Sequence, residues 1–174
     1  HYNDNTRQTQ NGDLVVIDVG AKYKGYSSDI TRTIPVSGKF TEAQKEIYTM
    51  VLKVQQDAIA MIKPGLALID LEQFARNAFK KLGYDEFFIH GLSHPVGLDV
   101  HDVMTEKVLK PGMIITIEPG LYFSPNDKTA PEKYKGFGVR IEDTILVTEN
   151  GYEILSKNAP KEIDEIEKLM KKKR

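Results

Sequence analysis

Two segments that lie one hundred residues apart share an apolar run that ends in an acid-x-glycine sequence. Asp13–Gly20 reads Asp-Leu-Val-Val-Ile-Asp-Val-Gly, and Met113–Gly120 reads Met-Ile-Ile-Thr-Ile-Glu-Pro-Gly. Short runs of β-branched residues are typical of strands. A repeat of this length is too long for a solenoid, so it predicts two half-domains related by approximate twofold symmetry.

Each half also carries a second acid that is followed two residues later by threonine. The first half has Asp29-Ile-Thr31, and the second half has Glu142-Asp-Thr144. Residues 23–34 are predicted to be a strand that pairs with the first apolar run across a turn at Lys22–Gly25, and residues 138–147 to be a strand of the second half. Each half is therefore expected to contain an acid-bearing strand pair.

Two helices are predicted between the halves. Thr41-Glu-Ala-Gln44 has the form of a capping box, and the helical spacing that follows ends at Lys63-Pro-Gly65. A second helix is predicted from Asp70, as its N-cap, to Gly83. Both helices are assigned to the scaffold, with the following apolar residues in the core: Ile47, Met50, Val51, Val54, Ala58, Met61, Ile62, Leu71, Phe74, Ala75, Ala78, Phe79 and Leu82.

The remaining segments complete a single domain. Residues 121–137 are rich in Pro, Lys and Asn and are predicted to form an exposed loop. A short strand over 152–155 and a helix over about 160–172 are predicted to close the chain. With 174 residues, of which 40% are hydrophobic, the chain is long enough to bury one real core.

Composition narrows the classes of partner. The 24 basic and 25 acidic residues leave no global basic field, so we do not expect nucleic acid as a partner. Cysteine is absent, which rules out disulfides and thiolate ligands and favours a reducing cytoplasmic location. There is no eighteen-residue apolar run and no signal-peptide pattern, so no membrane partner is expected either.

The segment His90–Asp102 holds three of the four histidines. Imidazole suits both metal ligation and proton transfer near neutral pH, so this clustering indicates a functional site, although a single histidine is more often an ordinary core or surface residue. Two glycines and a proline argue against a helix here. In an extended chain, His94 and His101 could converge only across a bend, which Gly97 could supply.

The four strand-end acids suggest cations. One such acid is usually solvated or paired, but burying Asp18, Asp29, Glu118 and Glu142 together is prohibitive unless positive charge neutralises them. Two divalent ions would offset four carboxylates, with His94 as a neutral nitrogen ligand. An oxygen-dominated set with one imidazole favours manganese, with zinc, cobalt or iron as alternatives. A hydroxide bridging two such ions could attack a carbonyl.

These residues resemble a known family. The pattern His90-Gly-Leu-Ser-His94-x-x-Gly97-x-x-x-His101-Asp102, together with Asp18, Asp29, Glu118-Pro-Gly120 and Arg140-Ile-Glu142-Asp143, is similar to the aminopeptidase P/prolidase branch of the M24 metallopeptidases. The resemblance runs over most of the chain. It implies an α+β pita-bread fold over residues 1–174, with two pseudo-symmetric halves of antiparallel strands and flanking helices.

The resemblance also implies which residues hold the metal. In the family pattern two of the acids, here Asp29 and Glu142, bridge the two ions. Glu118 is the candidate to carry a proton to the leaving proline nitrogen, because it would sit on the metal beside the nucleophile. The full ligand set that the resemblance implies is Asp18, Asp29, His94, Glu118 and Glu142.

Four further residues are implied at the substrate site. His90 and His101 match histidines that bind substrate and stabilise the tetrahedral intermediate, a role that imidazolium can fill by hydrogen bonding to a developing oxyanion. Arg140 matches an arginine next to the bridging acid. His1, seventeen residues before Asp18, matches a further substrate-site histidine, with a frayed terminal residue as the alternative.

The implied activity is that of a metal-dependent Xaa-Pro aminopeptidase, which hydrolyses the bond between an N-terminal residue and proline, so peptides with proline in the second position are the expected substrates. The alternatives are a prolidase that takes Xaa-Pro dipeptides, a creatinase-like hydrolase without metal, and a non-catalytic peptide-binding module. The compact connection between Glu118 and Glu142 and the Gly-Leu-Ser-His sequence favour the aminopeptidase. All five ligands are present, which argues against the last two.

Family members usually carry an N-terminal domain and several helices ahead of the segment that matches His1. We expect this chain to be the catalytic domain without that upstream domain and without the first catalytic helices. We also expect the full-length protein to be a homo-oligomer. Because the absent helices would hold the site rigid, the chain by itself is expected to be inactive.

Overall fold

The computed structural model describes residues 6–171. They form strands and helices in the order expected for an α+β domain. The bounds are β1 Leu14–Val19, β2 Lys22–Tyr23, β3 Tyr26–Ser27, β4 Ile30–Pro35, α1 Glu42–Ala60, α2 Leu68–Lys81, β5 Ile114–Ile117, β6 Gly120–Phe123, β7 Phe137–Arg140, β8 Asp143–Thr148, β9 Gly151–Ile154 and α3 Ile163–Lys171. No helix in this range is both long enough and apolar enough to cross a membrane.

In the first half, β1 pairs with β4 in antiparallel register, with Asp18 opposite Thr31. The prediction of one strand over residues 23–34 is wrong, because the chain forms a separate small ribbon, β2–β3, before β4 begins. The interruption falls at Ser28–Asp29, where the Asp29 carbonyl accepts a hydrogen bond from the Thr144 hydroxyl of the other half. The strand is therefore interrupted at Asp29, one of the two acids expected to bridge the metal ions, and the backbone there is hydrogen-bonded to the other half.

In the second half, β8 lies between β5 and β9, and β6 pairs with β7. The predicted strand 138–147 is broken at Ile141–Glu142, because the Glu142 amide donates to the Thr31 carbonyl at 3.0 Å instead of to a neighbour in its own sheet. The prediction of an exposed loop over 121–137 holds only for the middle of the segment, where residues 124–129 lie outside any strand and are mostly exposed. Both ends of that segment are in strands, and Tyr134 is buried in the core.

The helices follow the predicted pattern with two corrections. Thr41 and Gln44 form the capping box of α1, and the predicted face of that helix is buried. Helix α2 begins at Leu68, so Asp70 is not its N-cap but lies in the first turn, where a carboxylate interacts favourably with the helix dipole. Leu82 is 46% exposed because the chain has already left the helix at that residue.

The core lies between the helices and the strands. Helix α1 contacts α2 as well as strands β5, β6 and β7. The histidine segment runs alongside β5, with the amides of Thr116 and Glu118 donating to the carbonyls of His94 and Leu92, each at 2.9 Å. This antiparallel pairing places the predicted histidine ligand next to the acid at the end of β5.

Candidate metal centre

The five predicted ligands converge where the two halves meet. Glu142 belongs to two groups whose potential ligand atoms all lie within 4.8 Å of one another. The first group adds Asp18 and Asp29, and the second adds His94 and Glu118. Glu142 is thus placed between two adjacent potential ion positions, as a bridging residue would be.

Glu142 has an unsatisfied oxygen. Its side chain is 1% exposed, and its Oε2 accepts a hydrogen bond from the Thr31 hydroxyl at 2.7 Å. Its Oε1 is buried without a hydrogen-bond partner among residues 6–171. Burial, reinforced by the nearby charge of Glu118, raises the pKa of Glu142 to about 8. A buried carboxylate oxygen that faces other acids has the environment that a cation would satisfy.

His94 is oriented for ligation through Nε2. Its Nδ1–H donates to the Pro95 carbonyl at 3.0 Å, which leaves Nε2 directed at Glu118 Oε1, 3.2 Å away, and Asp29 Oδ2, 3.5 Å away. Burial acts to lower the pKa of His94, but these two carboxylates raise it to about 10. In the absence of a metal, a proton on Nε2 therefore supplies the positive charge between the acids.

Glu118 is held by a threonine of the same strand segment. The Thr116 hydroxyl accepts a hydrogen bond from the His94 amide at 3.1 Å and donates to Glu118 Oε1 at 3.2 Å. This hydroxyl couples the position of the acid to that of the histidine. The sequence analysis did not single out Thr116, although its position two residues before the acid places both on the same face of an extended chain.

A second chain of hydrogen bonds runs from Asp18 to His90. Arg140, 12% exposed, donates from Nη2 to Asp18 Oδ2 at 2.6 Å and from Nη1 to the Tyr122 hydroxyl at 2.7 Å. Tyr122 in turn donates to His90 Nε2 at 2.7 Å, since His90 Nδ1–H is directed to the Gly91 carbonyl. Burial lowers the pKa of His90, so its ring is neutral in this arrangement.

Tyr122 is not among the residues predicted at the site, because it lies in the segment predicted to be a loop. A signal was present, since Glu118, Gly120 and Tyr122 alternate along one extended segment. A Cβ at residue 120 would lie 2.5 Å from the Tyr122 hydroxyl oxygen. The glycine of the repeated acid-x-glycine pattern therefore makes room here for the tyrosine that contacts His90.

His101 reaches the site across the predicted bend. Its ring centroid lies 4.3 Å from that of His94 and the two rings are perpendicular. A Cβ at Gly97 would lie 2.0 Å from Asp102 Oδ2, so a larger residue in this bend would displace the carboxylate that accepts a hydrogen bond from the Leu98 amide. His1 lies outside the described residues.

This set of donors fits two divalent ions. Four carboxylates and one imidazole provide hard oxygen ligands and one borderline nitrogen, which together suit manganese or zinc. The unpartnered Glu142 oxygen and the raised pKa of His94 both indicate that this cluster of acids favours a positive charge. The observed arrangement could therefore hold ions that activate water and polarise a carbonyl.

The chain resembles proteins of known activity over most of its length. A model of metallopeptidase family M24 matches residues 1–149. The Xaa-Pro aminopeptidase of Escherichia coli K12 is 45% identical over 193 residues, covering 98% of this chain and 44% of that protein. The Xaa-Pro dipeptidase of Pyrococcus furiosus is 48% identical over 156 residues, covering 87% and 42%. The chain thus spans less than half the length of these relatives.

A solved structure shows the same fold. Zinc-substituted E. coli aminopeptidase P in complex with product superimposes with a TM-score of 0.92 at 42% identity, covering 100% of this chain and 44% of that one. The expected α+β pita-bread fold, with its paired antiparallel strands and flanking helices, is therefore confirmed. Given the family match, the high identity and the shared fold, the chain belongs to metallopeptidase family M24.

Proposed function

We propose that this chain is the catalytic part of a metal-dependent Xaa-Pro aminopeptidase that hydrolyses the bond between an N-terminal residue and a following proline. The observation that carries the proposal is the convergence of five potential ligands around the buried, unpartnered Glu142 oxygen. The resemblance to E. coli Xaa-Pro aminopeptidase supports the same reaction. A peptide-binding module without chemistry would have no need to keep all five.

Five residues would hold the ions, with two of them bridging. We propose that Asp29 and Glu142 bridge, and that manganese is the native metal, with zinc, cobalt or iron as alternatives. When bound, the two ions supply Lewis acidity and a hydroxide nucleophile near neutral pH. The complete set is Asp18, Asp29, His94, Glu118 and Glu142.

Glu118 is the proposed proton carrier. The Thr116 hydroxyl holds the Glu118 carboxylate from one side, so its position does not depend on substrate. We propose that it accepts the proton that the nucleophile loses and passes it to the leaving proline nitrogen. The threonine hydrogen bond restrains the acid at Oε1 during this transfer.

His90 and His101 are proposed to contact the substrate from two sides. His90 is held through Tyr122 and Arg140, and His101 packs edge-on against His94. A ring N–H of His101 could donate to the carbonyl oxygen as negative charge develops on it. His90 could do the same only through Nε2, once that nitrogen is protonated and released from Tyr122, because its Nδ1–H is directed to the Gly91 carbonyl. Arg140 keeps Asp18 and Tyr122 in place, and His1 remains a proposed substrate contact.

An aminopeptidase is preferred over a dipeptidase. The E. coli aminopeptidase aligns over 98% of this chain, whereas the P. furiosus dipeptidase aligns over 87%. Within its shorter alignment, the dipeptidase has a slightly higher sequence identity to this chain than the aminopeptidase has, so prolidase activity is the second candidate. Cleavage of Xaa-Pro-Yaa tripeptides supports the aminopeptidase, and cleavage of Xaa-Pro dipeptides alone overturns it.

We further propose that the full-length protein is a cytoplasmic homo-oligomer. The absence of cysteine supports a reducing compartment. One relative is a mitochondrial peptidase of Arabidopsis thaliana that is 39% identical over 184 residues, so location differs within the family. Light scattering on the full-length protein and fractionation of its host cells test the two proposals separately.

The function is tested first by manganese titration calorimetry on the metal-free chain. Two ions should bind per chain, and Glu142→Gln should lose at least one of them. Glu149→Gln removes the same charge from an exposed position and should bind as the wild type does. Peptidase assays on the metal-loaded full-length protein follow. Binding of no metal by the wild type, or of two ions by Glu142→Gln with unchanged affinity, contradicts the proposed centre.

A further inference from the structure

We propose that Arg76 and Glu72 of α2 are positioning residues that hold His90 in place for the reaction. They lie four residues apart on the helix, and Arg76 Nε donates to Glu72 Oε1 at 2.6 Å. Their side chains are 45% and 24% exposed, so the pair lies at the protein surface and not in the core. Isolated surface ion pairs contribute little to stability. The role of this pair is therefore inferred from the contacts that it makes with other residues.

Arg76 clamps the backbone that leads into His90. Its Nη2 donates to the His90 carbonyl at 3.0 Å, and its Nη1 donates to the Phe88 carbonyl at 3.2 Å. The guanidinium also lies 4.9 Å above the Phe88 ring, which packs edge-on against Phe79 in the core. The planar fork of arginine can contact two carbonyls and a ring at once, which the single ammonium of lysine cannot do.

Glu72 holds the other end of the same turn. Its Oε2 accepts a hydrogen bond from the Leu92 amide at 2.7 Å. The Leu92 carbonyl accepts from the Glu118 amide, where the pairing of the histidine segment with β5 begins. The ion pair therefore satisfies backbone groups over residues 88–92 and connects them to the acid of the proposed centre.

The turn has few other restraints. Residues 88–91 belong to no helix or strand, and Ile89 is 72% exposed. Restraint of His90 therefore comes from the contacts of its ring with Phe88, Tyr122 and the Gly91 carbonyl, and from the hydrogen bond that Arg76 donates to its backbone. A shift of about 1 Å in a group that contacts substrate can cost a hundredfold in rate, so release of the backbone should be visible in catalysis.

The catalytic part of this inference depends on the proposed function, but the positioning of His90 does not. The test compares Arg76→Gln with Lys80→Gln, which removes the same charge from an exposed position on the same helix. Ring nitrogen shifts of the histidines are recorded by long-range ¹H–¹⁵N NMR, with His90→Gln used to assign the His90 signals. Manganese stoichiometry and the steady-state constants kcat and KM are measured on the same samples.

We expect Arg76→Gln to change the His90 ring shifts, to leave those of His94 in place and to keep the metal stoichiometry. In the active enzyme, kcat should fall about tenfold or more, with KM within about twofold. Arg76→Lys should recover part of the loss, because it keeps the ion pair with Glu72. Glu72→Gln should give the same pattern more weakly.

Two results overturn the inference. The first is that Arg76→Gln has the same His90 shifts and the same kcat as Lys80→Gln. The second is that Arg76→Gln loses a bound metal ion as well as the His90 signals. Changed His90 shifts in Arg76→Gln, combined with a full-length wild type that binds metal but cleaves no Xaa-Pro peptide, support the positioning role and contradict the proposed function instead.

Discussion

Glu142→Gln should make the metal-free protein more stable at pH 8 than the wild type. Folding raises the pKa of Glu142 from 4.5 to about 8, a difference of about 3.5 units. Each unit corresponds to about 1.4 kcal/mol, so the upper limit of the effect is about 5 kcal/mol. Glutamine carries no charge and can still accept the Thr31 hydrogen bond through its amide oxygen.

The sign follows from the two pKa values. Below pH 4.5 the acid is protonated in both the folded and the unfolded states, so it does not oppose folding. As the pH rises towards 8, the unfolded state ionises first, and the free energy of unfolding of the wild type falls. Glu142→Gln has no such group, so its advantage over the wild type should grow between pH 4.5 and 8 and then level off.

The measurement is urea unfolding of EDTA-treated wild type, Glu142→Gln and Glu149→Gln at pH 5 and pH 8. Other groups also titrate in this range, among them His94 in the unfolded state, but they are common to the three proteins. Saturating manganese should reverse the order, because it stabilises the wild type by binding the folded state. An advantage of Glu142→Gln that is equal at pH 5 and pH 8 would refute the argument that this carboxylate is protonated by burial among acids.

Three further outcomes are expected. Manganese binding near pH 7 should release protons from Glu142 and His94, seen as calorimetric enthalpies that depend on the ionisation enthalpy of the buffer. Asp143→Asn should lower the free energy of unfolding by about 3–5 kcal/mol in urea, because it leaves Arg32 and a lysine without their buried partner. Thr31→Val should weaken manganese affinity about tenfold by calorimetry, because it removes the hydrogen bond that orients Glu142.

The elements with strong local signals were predictable from the sequence. The capping box at Thr41 and the helical spacing after it gave α1, and the acid-x-glycine repeat gave the ends of β1 and β5. The duplicated pattern of strand-end acids also predicted that these acids lie close together around shared positive charge. The structure does bring the five candidate ligands close to one another.

The errors occur where contacts between distant segments override local preference. The strand predicted over 138–147 breaks because the Glu142 amide bonds to Thr31, 111 residues earlier in the chain. Tyr122 and Arg76 belong to no recognisable sequence motif. Their proposed roles follow from their hydrogen bonds to other residues, chiefly to His90. No local pattern encodes such pairings, so reasoning from a single sequence identifies candidate ligands more readily than the residues that orient them.

The two strand breaks share one cause, which links the fold to the site. At Asp29 and at Glu142 the backbone leaves its own sheet to bond across the halves, through the Asp29 carbonyl and the Glu142 amide. An acid within a continuous ladder would keep its backbone groups within one sheet. Because both strands are interrupted at these acids, the backbones of Asp29 and Glu142 are hydrogen-bonded to the opposite half. The contacts that join the halves therefore also position two acids of the proposed centre. Any change that separates the halves should therefore weaken metal binding before it unfolds either half.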